Sequence, residues 1–239
     1  DMIIKSALKL VSDAYSPSVL TLSTFESGTR AEESTQRAAE FARNSDHNPF
    51  IDLYENVLLP SESWENYNLV GISIVGISQI LPGLTLARML KEKYPHLHIT
   101  LGGPIFSVNS KQLMSHPEFF NEFCDSIVTF EGEEPLHRLL TTLKNGSSLR
   151  NVPNLLFCED GKVESNEERV ELRFEEMPPP TFDGLPMDLY LSPYPILPVL
   201  QSRGCYWGKC TFCTHSFIYG HRYGKQRTEQ MVDELESLA

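Results

Sequence analysis

Apolar and polar positions change rhythm twice along this chain. Ile4, Ala7, Leu8 and Val11 recur at helical spacing before Ser16-Pro17, which predicts a short helix over residues 2–11. Val19 to Phe25 alternates apolar residues with Ser and Thr and reads as a strand, and Glu32 to Arg43, rich in Ala, Glu, Gln and Arg, reads as a helix. Asn48 is a cap residue ahead of a first-turn proline, Pro49. Phe50, Leu53, Tyr54, Val57 and Leu58 then share one face of a predicted amphipathic helix. Residues 1–67 are thus expected to form a mainly helical amino-terminal segment or insertion.

From Asn68 strand and helix alternate, the pattern of a parallel sheet with crossover helices. Leu69 to Val75 predicts a strand and Pro82 to Tyr94 a helix, with Leu84 and Ala87 on its buried side and Arg88 and Lys91 on its wet side. Leu97 to Leu101 is the next strand, and Lys111 to Phe123 a helix broken at His116-Pro117. Ser126 to Phe130 is a third strand, followed by a helix over Pro135 to Leu143 that ends near Asn145-Gly146. These units span 68–148. Residues 154–165 predict a hairpin turning at Asp160-Gly161, and the polar stretch Ser165 to Glu171 lies beyond it. Met177 to Pro198, rich in proline, predicts an extended linker, so 149–195 joins two domains. In 196–239, Ile196 to Gln201 reads as a strand and the cysteine segment as its exit loop. Thr228 to Leu238 follows as a helix with Met231, Val232, Leu235 and Leu238 on one side.

Composition narrows the picture. At 239 residues and 41% hydrophobic content the chain can bury a real core. Its longest apolar run, Leu69 to Leu81, is interrupted by Ser73, Ser78 and Gln79 and is too short to span a bilayer, so no membrane partner is expected. A formal net charge of -12 disfavours nucleic acid, whose binding requires clustered Lys and Arg against phosphates. Three of the five cysteines crowd into positions 205–213 while Cys124 and Cys158 stand alone, which points to metal rather than a disulfide framework. Metal thiolates imply a reducing cytoplasm. The chain starts at Asp1 and stops at Ala239 inside a helical pattern, so a fragment at both ends is expected.

A cubane iron-sulfur cluster needs soft thiolate ligands, and three cysteines on one irregular loop can seat three irons and leave the fourth open. The segment Ser202-Arg203-Gly204-Cys205-Tyr206-Trp207-Gly208-Lys209-Cys210-Thr211-Phe212-Cys213 resembles the cluster loop of the radical S-adenosylmethionine superfamily. That resemblance implies that Cys205, Cys210 and Cys213 hold a [4Fe-4S] cluster whose open iron binds S-adenosylmethionine. One electron then cleaves the sulfonium, giving a 5'-deoxyadenosyl radical, and Phe212 lines the adenine site. The usual motif has three residues between its first two cysteines, whereas Tyr206 to Lys209 makes four here; Gly208 can absorb the extra residue. Arg203, Lys209, Arg222, Lys225 and Arg227 occur between Ile196 and Thr228 without any Asp or Glu. This setting suits an anionic cluster, and equally a merely solvated loop. Spacing alone also allows a zinc site, in which Cys205, Cys210 and Cys213 are joined by His215 or His221.

In open parallel sheets, ligands sit beyond the carboxyl ends of the strands. Val70-Gly71-Ile72-Ser73, Leu101-Gly102-Gly103 and Phe130-Glu131-Gly132-Glu133-Glu134 resemble the cobalamin-binding domain that precedes the radical domain in one branch of that superfamily. The resemblance covers about residues 68–239 and makes Gly102, Gly103, Gly132 and Glu133 candidate cofactor contacts. Turn geometry accounts for each glycine as well, and Glu133 can simply complement a helix dipole. The implied fold is α/β: a partial doubly wound (flavodoxin/Rossmann-like) parallel sheet followed by the first βα unit of a radical S-adenosylmethionine partial TIM barrel. The implied function is a cytoplasmic, cobalamin-dependent enzyme of methyl transfer or radical rearrangement, inactive as a fragment, with a substrate the sequence does not name. Its implied reductant is a protein such as flavodoxin or ferredoxin. A non-catalytic cofactor-binding module with a zinc site stands as the alternative.

Overall fold

Proline and capping residues punctuate the first third of the chain. In the computed structural model, which describes residues 2–166, 170, 173–190 and 192–238, helix α1 (Met2–Ala14) stops short of Pro17. Residues 19–25, expected as one strand, instead form a small antiparallel ribbon, β1 (Val19–Leu20) against β2 (Phe25–Glu26). Thr21 makes the turn: its hydroxyl accepts the amides of Ser23 and Thr24 at 3.3 and 2.9 Å. Ser34 accepts the Arg37 amide and caps α2 (Thr35–Arg43), which separates residues 31–33 as a single turn. Asn48 caps α3 (Pro49–Leu53), but the helix widens to a π turn over Tyr54–Leu58 before the short α4 (Leu59–Ser61). That widening breaks the predicted apolar stripe, so Leu53 and Val57 are exposed while Leu59 is buried.

The chain divides into two compact units, one up to Val170 and one beyond it. The first is built on a sheet in the order β3 (Leu69–Ser73), β4 (His98–Gly102), β5 (Ser126–Val128), β6 (Leu155–Glu159), β7 (Lys162–Ser165). β3, β4 and β5 run parallel. The predicted hairpin extends the same sheet antiparallel instead of lying in a connecting segment. Pairing of Glu159 with Lys162 leaves only Asp160 and Gly161 in the turn, both at positive φ (51° and 74°), which matches the twist of the flanking strands.

Between the strands lie α5 (Ile80–Lys93), then α6 (Pro104–Val108), α7 (Ser110–Leu113) and α8 (Pro117–Phe123), then α9 (Glu133–Asn145). The helix expected over 111–123 is in pieces, and Pro117 starts its last piece at the predicted break. Side chains alternate across the sheet. Ile99, Leu101, Ile127, Leu156 and Val163 join Leu84, Leu90, Phe120 and Phe123 in a core on one face. Val128, Leu155 and Phe157 meet Leu139 and Val152 on the other, so helices cover both faces. Along β3 and β4 that second face carries only Gly71, Ser73, Thr100 and Gly102 between the Leu69 and His98 end and the strand exits.

The amino-terminal segment belongs to the first core, contributing Phe25, Phe41, Leu59 and Trp64. Fully buried Asn48 fastens it: its Nδ2 donates to Phe41 O at 3.2 Å and to Thr85 Oγ1 at 2.9 Å, and Arg88 Nε donates to Ala42 O at 3.1 Å. Unpaired, these buried groups would cost about 1–3 kcal/mol each.

In the second unit β8 (Ser202–Gly204) pairs antiparallel with β9 (Tyr223–Lys225), flanking α10 (His215–Ile218) and leading to α11 (Thr228–Leu238). The strand expected at 196–201 therefore starts later, since Pro195 and Pro198 withhold ladder donors. The apolar side predicted for the last helix is also not what it buries: Val232 and Leu235 are exposed. Glu234 is buried instead, accepting from Gln226 Nε2 at 2.8 Å. Within the linker the described residues form only isolated turns at Phe174–Glu176 and Met187–Leu189. The polar stretch expected over 165–171 lies mostly outside the described residues. Among those described, no helix is long and apolar enough to cross a membrane.

At the amino ends of β4 and β5, His98 Nε2 lies 2.8 Å from Ser126 Oγ, whose hydroxyl donates to Thr100 Oγ1 at 3.0 Å. Burial holds this imidazole below its ordinary 6.5, with Asp125 opposing the shift and Lys91 adding to it. Below 6.5 the unfolded chain takes up a proton that the folded chain declines, so stability present above that pH is lost as pH falls toward the folded value. Urea midpoints at about pH 7.5 and about pH 5.5 should therefore differ in the native protein and differ less in His98→Gln.

Candidate functional site

The loops leaving the parallel strands are tied together through main chain. Ile74, just beyond β3, donates its amide to Gly102 O at 2.8 Å. Gly103 follows at φ 116°, and a Cβ there would stand 2.1 Å from Ile74 O, so only glycine fits. Gly102 and Gly132 are different. A Cβ on either would meet nothing closer than Val128 O at 3.8 Å or Val128 Cγ1 at 3.6 Å, ordinary contacts. The fold thus requires the second glycine of the pair, while the other two leave uncovered backbone at the strand exits.

The loop after β5 is held from both sides. Phe130 sits at φ 60° and donates its amide to the fully buried Ser107 Oγ at 2.7 Å. Thr129 donates from both its amide and its hydroxyl to Asn154 O, each at 2.9 Å. Asn154 Nδ2 in turn donates to Glu131 O at 3.3 Å and Val170 O at 3.2 Å. Sequence reasoning did not single out Ser107 or Asn154; the available signal was an Asn just ahead of a strand, a type that tolerates the φ of 54° it adopts. Glu133 is exposed in the first turn of α9, where Glu134 bonds Arg138 Nε at 2.7 Å and both carboxylates complement the helix dipole.

The cysteine loop opens from β8, where the Cys205 amide donates to Arg222 O at 3.2 Å. Gly208 turns the loop at φ 61° and brings its amide to Cys205 Sγ at 3.4 Å. The amides of Gly208 and then Trp207 hold the Cys205 thiol below its ordinary range against the opposing effect of burial, and the Ser216 hydroxyl acts in the same direction. All five cysteines are free; Cys210 and Cys213 are exposed and Cys205 is half-buried. Lys209 Nζ lies 5.5 Å over the Trp207 ring, and the Arg203 guanidinium 5.5 Å over Phe174. Phe212 is 87% exposed. His215 and His221 are exposed too, and His215 Nε2 lies 3.3 Å from Gly204 O.

Among the described residues no group of three or more His, Cys, Asp or Glu is gathered closely enough to hold one metal ion. The three thiols therefore share a loop without converging on a point. As a donor set they suit an iron-sulfur cluster: soft, unpaired, one already polarised by amides, and beside Arg203 and Lys209. Cys124 is fully buried, which pushes its thiol well up, and half-buried Cys158 packs against the first core, so neither has such a setting.

No family model matches the chain. An uncharacterized methyltransferase of Pyrococcus horikoshii is 30% identical over 176 residues, 72% of this chain and 36% of that protein. The hopanoid C-3 methylase of Methylococcus capsulatus is 26% identical over 219 residues, 86% of this chain and 38% of that protein. Among solved structures, the cobalamin-dependent S-adenosylmethionine radical enzyme OxsB superposes with a TM-score of 0.56 at 23% identity, covering 79% of this chain and 25% of that one. The chain thus spans 36% to 38% of the length of these curated relatives.

A sheet with helices on both faces and glycine-bearing loops at its carboxyl end, followed in sequence by a three-cysteine loop, places the chain in the α/β class. Its fold is similar to that of the cobalamin-dependent S-adenosylmethionine radical enzyme OxsB.

The contrast between neighbouring glycines can be measured. Gly103→Ala should cost about 2–4 kcal/mol through positive φ and main-chain collision, whereas Gly102→Ala should stay within about 1 kcal/mol of the native protein; paired urea unfolding curves check both.

Proposed function

We propose that the protein is a radical S-adenosylmethionine iron-sulfur enzyme that uses cobalamin in methyl transfer. Cys205, Cys210 and Cys213 would hold a [4Fe-4S] cluster, and the loops at Gly102-Gly103 and Glu131-Gly132-Glu133 would receive the cobalamin. The observation that carries this reading is the cysteine loop itself: three free thiols within residues 205–213, the first hydrogen-bonded by the loop's own backbone. When bound, these groups supply one-electron cleavage of S-adenosylmethionine and a carrier for the methyl group.

The chain's residues do the holding. Amide donors at Cys205 stabilise the deprotonated sulfur that a ligand must present. Arg203, Lys209 and Arg222 offset negative charge at the loop. Phe212 offers a bare ring against which an adenine can stack. In the first unit, Gly102 and Gly132 let a flat, bulky cofactor come close to backbone, and Gly71 and Ser73 leave the adjoining sheet face unobstructed. Two relatives whose names include methyltransferase or methylase favour methyl transfer over radical rearrangement. Free thiols and an electron requirement fit a cytoplasmic protein served by a flavodoxin or ferredoxin.

Anaerobic reconstitution with iron and sulfide should give a broad charge-transfer absorption and about four irons per chain, both lost in Cys210→Ala. One tightly held zinc per chain without that absorption would establish the Cys3His module instead. A corrinoid that stays with the protein through gel filtration, and is released by Gly102→Leu, supports the cobalamin assignment; no retention refutes it.

A further inference from the structure

Where the amino-terminal segment meets the helices on the first face of the sheet, the packing leaves an open cleft of about 400 Å³. Small-ligand sites have volumes of about 300–1,000 Å³. Four helices supply buried apolar walls: Ala38 of α2, Leu84 of α5, Phe106 of α6 and Phe119 of α8. The two phenylalanine rings stand edge to face, with centroids 6.2 Å apart and planes at 63°. From α2 only the short side chains Thr35 and Ala38 line the cleft, which leaves its space unfilled. Gly102, Gly103, Gly132 and Glu133 do not line it, so it is not the site proposed for cobalamin.

The mouth of the cleft is acidic. Glu32 and Glu33 line it, with no Lys or Arg among the described lining residues. Glu33 is already engaged, since Arg30 and Arg37 approach it from exposed positions at 3.7 and 3.6 Å. His116, also at the mouth, pairs with Glu118 at 2.6 Å. Glu32 differs from both. It is half-buried, and among the described residues its carboxylate has a single partner, the neutral Ser27 hydroxyl, which donates to Oε2 at 3.0 Å. A partly desolvated charge with one neutral partner gains from an incoming cation, and aromatic walls attract the same kind of group. We propose that this cleft binds a small organic ammonium compound, its apolar body against Phe106 and Phe119 and its charge beside Glu32. The proposal depends on neither the cluster reading nor the cobalamin reading.

The test titrates the intact protein with phenethylamine, its neutral counterpart phenethyl alcohol and the anionic hydrocinnamate, following Leu and Ile methyl signals by nuclear magnetic resonance. The amine should shift the methyls of the lining residues Leu84, Ile105 and Leu113 saturably, with a Kd about tenfold below that of the alcohol, and hydrocinnamate should bind more weakly than either. In Glu32→Gln, which keeps an acceptor for Ser27, the amine's Kd should rise about tenfold while the alcohol's stays unchanged. Ala38→Leu, which fills the cleft, should remove the shifts caused by both. Equal binding of amine and alcohol to the native protein, an amine Kd unmoved in Glu32→Gln, or no saturable shift of these methyls by any probe would each overturn the proposal. If a variant fails to fold, as its methyl spectrum would show, the ratio of amine to alcohol affinity in the native protein decides alone.

Discussion

The candidate cofactor end of the first unit depends on backbone meeting backbone at Ile74 and Gly103. The Ile74 amide reaches Gly102 O, and the next residue has no room for even a methyl group. Two strand exits are thereby set at a fixed separation without any side chain lying between them. The third exit is fixed differently, by Ser107 and Asn154, whose polar groups satisfy amides and carbonyls that a loop at the end of a sheet would otherwise leave bare. A surface prepared this way is stiff, has little side-chain bulk at Gly102 and Gly132, and offers main-chain groups to whatever docks there. Stiffness of this kind lowers the entropy lost on binding a large rigid ligand.

The cysteine loop solves a different problem with similar means. As the proposed cluster ligands its sulfurs would have to stay reachable from solvent, and Cys210 and Cys213 are exposed rather than buried in a core. Order comes instead from its two ends, where β8 pairs with β9 and the Cys205 amide bonds Arg222 O. Glu234, buried on α11 and bonded to Gln226, adds a polar anchor beneath this ribbon. A buried carboxylate is costly unless satisfied, and here its partner is the side chain of Gln226, whose backbone amide donates to Gln201 O at 3.0 Å.

Much of this was legible in the chain itself. Alternating strands and helices over 68–148 follow from local periodicity, and the Asp160-Gly161 turn from residues that accept positive φ. The cysteine spacing stood out because thiols rarely crowd without a purpose. Other features depend on distant partners. Nothing near Thr21 announces that 19–25 will fold back on itself, and the stripe from Phe50 to Leu58 gives no sign of the π turn that scatters it. The face of α11 misleads for a physical reason: in so small a unit a satisfied Glu234 can take the inner position while Val232 and Leu235 stay wet. Gly102 and Gly103 look alike in sequence, and only the position of Ile74 O separates them.

The hairpin's place in the sheet also decides how that sheet ends. β7 is the outermost strand, short, with Lys162 and Glu164 paired to each other at 3.4 Å and Arg150 reaching Glu164 at 3.7 Å. A brief rim of opposed charges makes a poor template for another chain's backbone, because any incoming strand would have to strip those groups of water and of one another. This flank of the molecule is thereby guarded against edge-to-edge aggregation, a hazard that sheets of parallel strands face while they assemble.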